Sequence, residues 1–112
     1  MKKIFLLFFA LPALAAHGSL KLPSLIGDNM VLQRETEIKL WGESKPSEIV
    51  SATCSWDNRT YSAVSDRQGR WIIKVATPKA GGPYTINFST SHGDTKLVKD
   101  VYSGEVWLCS GQ

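Results

Sequence analysis

The feature that most constrains the fold is a series of short segments in which apolar and polar residues alternate. Successive side chains of a strand point to opposite faces, so this alternation predicts strands covered on one side only. The residues that share a covered face fall into three sets: Val50, Ala52 and Cys54; Trp71, Ile73 and Val75; and Tyr84, Ile86 and Phe88. From residue 17 onward no segment keeps a helical period over three turns.

Turn sequences separate these segments at intervals of roughly 8–12 residues, as in immunoglobulin-like folds. Asp57-Asn58-Arg59 forms a tight turn, and Gly69 takes the left-handed position of the next connection. The loop 78–83 precedes the segment with the clearest alternation. Residues 17–103 are therefore expected to form an all-β domain, an immunoglobulin-like antiparallel β-sandwich of about seven strands.

Further strands are expected where the pattern is shorter or less regular. Leu22–Ile26 contains Pro23, which favours an edge position. In the segment 96–101, Leu97 and Val101 are expected to share one face. The remaining strands are predicted at 30–33, 38–41, 49–56, 61–64, 71–75 and 84–89.

The first 16 residues have the layout of a secretory signal peptide. Met1-Lys2-Lys3 is basic, residues 4–11 are apolar, and Ala13 to Ala16 supply an Ala-x-Ala cleavage pattern. The apolar run is shorter than the roughly 20 residues of a membrane-spanning helix. We expect a secreted or periplasmic protein with no membrane attachment after cleavage.

The overall charge gives no sign of a nucleic-acid partner. The formal net charge of the 112 residues is +3, and Lys2 and Lys3 contribute two of these positive charges. The other basic residues are scattered and often stand beside acids, with no aromatic residues interleaved. Gly81-Gly82-Pro83 leads into a strand, so it is a turn and not a phosphate loop. No cofactor is expected.

The segment 104–112 departs from the alternation. Val106-Trp107-Leu108-Cys109 is apolar on both faces, which suits a strand covered on both sides in a parallel sheet. The small-residue turn Ser110-Gly111-Gln112 follows, and such a turn after a strand often carries a hydrolase nucleophile. We expect this segment to be the first strand and truncated nucleophile turn of an α/β domain whose remainder is missing. An ordinary strand of the sandwich core is the alternative.

Three stretches resemble one family. They are residues 28–34 with Leu40-Trp41-Gly42, residues 79–84 with 98–101, and residues 104–112. Together they resemble the amino-terminal part of the sialate O-acetylesterase family, secreted carbohydrate esterases of the SGNH-hydrolase superfamily. The likeness extends over essentially all of the chain after residue 16.

The resemblance implies a parent enzyme that removes O-acetyl groups from sialic acids or related sugars. It places the nucleophilic serine directly after Gln112 and the catalytic histidine much further along, so Ser110, Gly111 and Gln112 are only the stub of the motif. The chain alone is expected to lack esterase activity and to require the missing α/β domain in the same polypeptide. O-acetylated sugars are the expected partners of the parent.

The residues themselves offer no alternative catalytic set. His92 lies in a Ser-His-Gly-Asp turn and is expected to be solvated, while His17 stands close to the predicted cleavage site. Glu35 and Glu37 are expected to share a solvent face, not to oppose each other as a glycosidase pair does. Ser110 has no base beside it and is not assigned as a nucleophile.

Four tryptophans suggest a sugar-binding alternative, because exposed aromatic rings can stack on sugars. Trp41 and Trp71 match core-facing or near-core strand positions, and Trp107 lies in the apolar terminal segment. Trp56, beside the Asp57-Asn58 turn, is therefore the candidate for sugar contact. On this alternative the chain is a stand-alone carbohydrate-binding or spacer module without catalysis. A non-functional gene fragment is the third interpretation.

Cys54 and Cys109 would both reach an oxidising compartment, where they could form a disulfide. The alternative is two buried thiols, because the two residues are expected in different structural units. Two cysteines without a cluster of histidines do not indicate a zinc site.

Overall fold

The structure, a computed structural model, describes residues 19–106. In this range it contains seven β-strands and no helix, and so no helix that could cross a membrane. The strands are β1 Val31–Gln33, β2 Glu37–Glu43, β3 Ile49–Cys54, β4 Arg59–Val64, β5 Arg70–Ala76, β6 Gly81–Thr90 and β7 Thr95–Gly104. The predicted all-β fold is confirmed.

The strands form two sheets that pack face to face. The larger sheet has the order β1-β7-β6-β3-β4, and the smaller consists of β2 and β5. All neighbours pair antiparallel except β1 and β7, which run parallel with Val31 opposite Tyr102. The predicted sandwich of seven strands is confirmed, but its one parallel pair was not predicted.

The core lies between the sheets and contains the three sets of apolar residues that the alternation predicts, except that Tyr84 is only partly buried against it. Trp71 from the small sheet meets Phe88 from the large one, with ring centroids 5.7 Å apart. Close packing of large aromatic side chains provides much of the apolar burial in so small a domain. The buried apolar side chains are Leu20, Ile26, Leu32, Leu40, Val50, Ala52, Cys54, Trp71, Ile73, Val75, Ile86, Phe88, Val98 and Val101.

The expectation that Leu97 and Val101 share a face is wrong. Leu97 is 55% exposed, whereas Val98 and Val101 are buried. Tyr84 lies opposite Val101 and Ile86 opposite Val98, so a step of two residues along β6 matches a step of three along β7. This bulge includes Asp100, whose φ is 55°, and it changes which residues of β7 face inward.

The predicted edge strand at Leu22–Ile26 is also wrong. The chain forms a turn there, closed by the Ile26 N–H donating to the Pro23 carbonyl at 3.0 Å. Only Lys21 pairs with the sheet, through two backbone hydrogen bonds of 2.8 and 2.9 Å with Glu43. Lys21 and the turn after it therefore lie beside the free edge of β2.

Two predicted turns have the expected backbone. Asn58 has a φ of 57° in the connection between β3 and β4. β3 ends at Cys54, so Trp56 lies in this connection and not in the strand predicted at 49–56. Gly69 has a φ of 84°, and a Cβ atom there would lie 2.1 Å from the Ser44 carbonyl oxygen. Only glycine satisfies both the backbone conformation and the space at this position.

Candidate functional site

The motif residues that the resemblance singles out, Ser110, Gly111 and Gln112, lie outside the described residues, as does Cys109. The structure therefore describes only the segment that leads to the motif, here called the approach segment. The approach segment consists of Gly104, where β7 ends, followed by Glu105 and Val106.

Side chains at the end of β1 hold this approach segment. Gln33 donates from Nε2 to Glu105 at 3.1 Å, and its Oε1 accepts the Val106 N–H at 3.1 Å. Arg34 donates from Nε to the Glu105 carboxylate at 2.8 Å, and its N–H donates to the Gly104 carbonyl at 2.9 Å. The hydrogen bonds from Gln33 and Arg34, with the charge of Arg34, hold the pKa of Glu105 below its usual range.

Trp56, the sugar-binding candidate from the sequence, is partly buried at the end of the core. Its Nε1 donates to the Ala76 carbonyl at 3.0 Å, and its ring meets Tyr84 edge to face with centroids 5.5 Å apart. These contacts hold one edge of the indole in the protein. Sugar contact by Trp56 stays a prediction.

Trp41 does not occupy the core-facing or near-core position expected for it. Leu40 and Gly42 face inward, and Trp41 lies on the outer face of the small sheet, 41% exposed. A Cβ atom at position 42 would lie 2.6 Å from Trp71, so the indole of Trp71 occupies the space over Gly42. Trp71 is buried, as expected.

Two grooves meet at Trp41. The larger, of about 610 Å³, lies between the outer face of the small sheet and the segment 21–23. The smaller, of about 330 Å³, lies between β1, β2 and the turn that contains Leu25, and Val106 also lines it. Sequence reasoning missed both grooves. The larger one depends on the pairing of Lys21 with Glu43, which leaves no trace in the alternation.

Glu48 is a further residue that the sequence did not single out. Its side chain is fully buried, although glutamates are seldom buried unless paired. It accepts the Lys45 N–H at 3.0 Å, and His92 Nδ1 lies 2.5 Å from its other oxygen. Burial acts to raise the pKa of Glu48, but the hydrogen bonds from His92 and the Lys45 N–H outweigh it and hold the pKa below its usual value.

His92 is thus partly exposed to solvent and is held by its contact with Glu48. Its side chain is 55% exposed, in agreement with a turn position, yet it covers the buried carboxylate of Glu48. The pair joins the connection before β3 to the turn between β6 and β7. Among the hydrogen bonds of the described residues, the side chain of His92 contacts Glu48 and no serine hydroxyl.

The other carboxylates of the sequence analysis lie at the surface. Glu35 and Glu37 are both exposed, and Glu35 pairs with Arg34 at 3.3 Å. Within residues 19–106 no three groups of the kinds that bind metals come together.

Burial of Cys54 makes its thiol chemically inert. The residue is fully buried, and burial, with a smaller effect of the Asp57 charge, raises the pKa of the thiol to about 12. Because the thiolate is the reactive form, Cys54 should resist alkylation by iodoacetamide at pH 8 in the folded protein and react after unfolding in urea. A Cys109→Ser variant isolates the signal in a mass-spectrometric assay. Rapid labelling in native buffer would contradict the buried position.

The pairing of Cys54 with Cys109 stays a prediction, because Cys109 lies outside the described residues. Non-reducing peptide mapping of the purified chain would detect the cross-link directly.

Comparisons with known proteins supply what the described residues leave open. No family model matches the sequence. The chain is 32% identical over 97% of its length to the sialate O-acetylesterase of Mus musculus, and 33% identical over 80% of its length to that of Homo sapiens. It spans 22% and 18% of these relatives, so about a fifth of their length.

A solved structure shows the same relationship. The chain superposes on a carbohydrate acetylesterase from Xanthomonas citri with a TM-score of 0.72 and 32% sequence identity, over 79% of this chain and 20% of that one. Sequence and fold therefore agree on one group of relatives.

Proposed function

Because the chain is homologous to sialate O-acetylesterases over most of its length, as its sequence motifs indicate, we propose that it is the amino-terminal β-sandwich portion of a secreted carbohydrate acetylesterase. Agreement between these relatives and the acetylesterase structure carries the proposal. The parent hydrolyses O-acetyl esters on sialic acid or related sugars. The signal-peptide layout of residues 1–16 supports secretion or a periplasmic location.

In this proposal the sandwich carries the segment that leads to the nucleophile. β7 runs through the large sheet, and Gln33 and Arg34 hold Glu105 and Val106 where β7 ends. The residues after Val106 supply the first strand and the nucleophile turn of an α/β domain. Acyl transfer needs a nucleophile, a base and oxyanion donors, and all three belong to that domain.

The activity test compares two products of the same gene. The DNA after the codon for Gln112 is sequenced first. The protein encoded by the whole reading frame and the 112-residue chain are then expressed separately. We expect the longer product to release acetate from 4-nitrophenyl acetate and from O-acetylated sialic acid, and the short chain to release none. Alanine in place of the serine expected directly after Gln112 should abolish turnover.

Two results would contradict the proposal. Turnover by the short chain equal to that of the longer product would place catalysis within residues 1–112. Absence of activity in a folded longer product would favour the alternative, a carbohydrate-binding or spacer module. The exposed Trp41 favours that alternative as a second candidate.

A further inference from the structure

The larger groove beside Trp41 has an aromatic wall that the fold leaves open to solvent. Trp41 pairs in register with Ile72 of β5, and both lie on the outer face of the small sheet, 41% and 57% exposed. Leu22 and Pro23 line the groove as well. The groove is therefore an apolar slot of about 610 Å³, within the range that holds small organic ligands.

Charged side chains of both signs line the same groove. Glu43 and Lys21 are brought together by their backbone pairing, and neither side chain has a hydrogen bond or ion pair among the described residues. Arg70 and Asp66 lie there too, joined at 3.5 Å. Two cations and two anions leave no net charge, which disfavours a polyanion such as nucleic acid.

Trp71, which is buried on the inner face of the small sheet, also lines the groove and carries an unsatisfied donor. The Nε1–H of Trp71 is the one buried side-chain polar atom within residues 19–106 that has no hydrogen-bond partner. Such an atom is exceptional in a folded protein and typically costs about 1–3 kcal/mol.

A pyranose ring has the chemistry that this surface matches. One face of the ring presents C–H groups, which can lie flat on an indole, and its rim carries hydroxyls that donate and accept hydrogen bonds. Trp41 supplies the flat apolar surface, while Glu43 and Lys21 supply an acceptor and a donor at its edge. A purely apolar partner would leave these two charges unpaired and desolvated.

We infer that the groove bounded by Trp41, Ile72 and residues 21–23 is a sugar-binding subsite that holds one pyranose unit of a glycan. The choice of a sugar rests on the proposed function, whereas the position of the subsite rests on the geometry. The subsite lies on the sandwich itself, so it positions the glycan without touching the reacting ester. Trp41, and not Trp56, is its aromatic platform.

The test is a titration of the chain with sialyllactose and, separately, with xylobiose, followed by the indole N–H signals in NMR spectra. We expect at least one of these sugars to shift the Trp41 signal to saturation. Trp41→Ala should weaken that binding about tenfold or more, the equivalent of about 1.4 kcal/mol. Trp41→Tyr should retain most of the affinity, because it keeps an aromatic face.

Trp56→Phe is the matched control, since it changes a tryptophan that is hydrogen-bonded to Ala76 and lies outside the groove. It should leave sugar binding unchanged. A folded Trp41→Ala variant, checked by its NMR dispersion, excludes unfolding as the cause of lost binding.

Four outcomes would overturn the inference. The first three are an unshifted Trp41 signal at the solubility limit of both sugars, equal affinity in the Trp41→Ala variant, and loss of affinity only in the Trp56→Phe variant. A Trp41 signal that is already buried in the longer product without sugar would assign the groove to contact between domains, which also overturns it. The acetate-release assay reports separately on the proposed function, so the two can fail independently.

Discussion

Trp71→Ala should lower the free energy of unfolding by about 3–5 kcal/mol, the range for removing a large aromatic from a packed core. Trp71 is 2% exposed, contacts Phe88 across the two sheets, and fills the space above Gly42. For a domain of this size the loss is a large part of the total stability, so the variant should be partly or wholly unfolded at 37 °C. Urea denaturation followed by circular dichroism measures it.

Trp41→Ala provides the matched comparison, because it removes the same side chain from the outer face of the same sheet. It should lower the free energy of unfolding by less than about 1 kcal/mol, as expected for a half-exposed surface position. Equal losses in the two variants would show that the small sheet does not cover the core as the structure has it.

Glu48→Ala should lower the free energy of unfolding at pH 7 by about 1–3 kcal/mol and reduce its dependence on acid. The substitution removes the acceptor of the Lys45 N–H and the partner of His92. The pKa of Glu48 in the folded protein lies below the ordinary value of 4.5. Ionised Glu48 therefore stabilises the fold above that ordinary value, and this contribution is lost as the pH falls through the folded-state pKa.

Urea denaturation at a series of pH values from neutral to strongly acidic tests this. The unsubstituted chain should lose stability across the acid range more steeply than the Glu48→Ala variant. The Glu37→Ala variant, changed at an exposed site, should behave like the unsubstituted chain. His92→Ala removes the largest hydrogen-bond contribution to the low pKa of Glu48. The stability of this variant should therefore begin to fall at a higher pH than that of the unsubstituted chain. If the free energy of unfolding depended on pH in the same way in the unsubstituted chain and in Glu48→Ala, the stabilising role of ionised Glu48 would be contradicted.

The sequence predicts most of the core, because every second residue of a strand covered on one side is apolar and faces inward. Val50, Ala52 and Cys54 are all buried as the alternation requires. The rule fails where the backbone departs from a regular strand. At Asp100 a bulge shifts the inward positions of β7 by one residue, and the local sequence of β7 does not reveal it.

The candidate subsite is less accessible to sequence reasoning. A large aromatic in a strand usually lies in or near the core, which predicts such a position for Trp41, but its neighbours Leu40 and Gly42 take the inward positions. The groove also needs Lys21, which reaches Glu43 from a segment without regular structure. Pairing of this kind is decided by the packed molecule and not by local pattern. The resemblance to the esterase family, by contrast, is carried by local motifs and is confirmed by the comparisons.

The hold of Gln33 and Arg34 on Glu105 and Val106 has a mechanical consequence. Glu105 and Val106 cannot rotate away from β1 unless at least three side-chain hydrogen bonds break. Glu105 and Val106 are therefore fixed relative to the sandwich, so a glycan bound beside Trp41 would keep a constant distance from Val106.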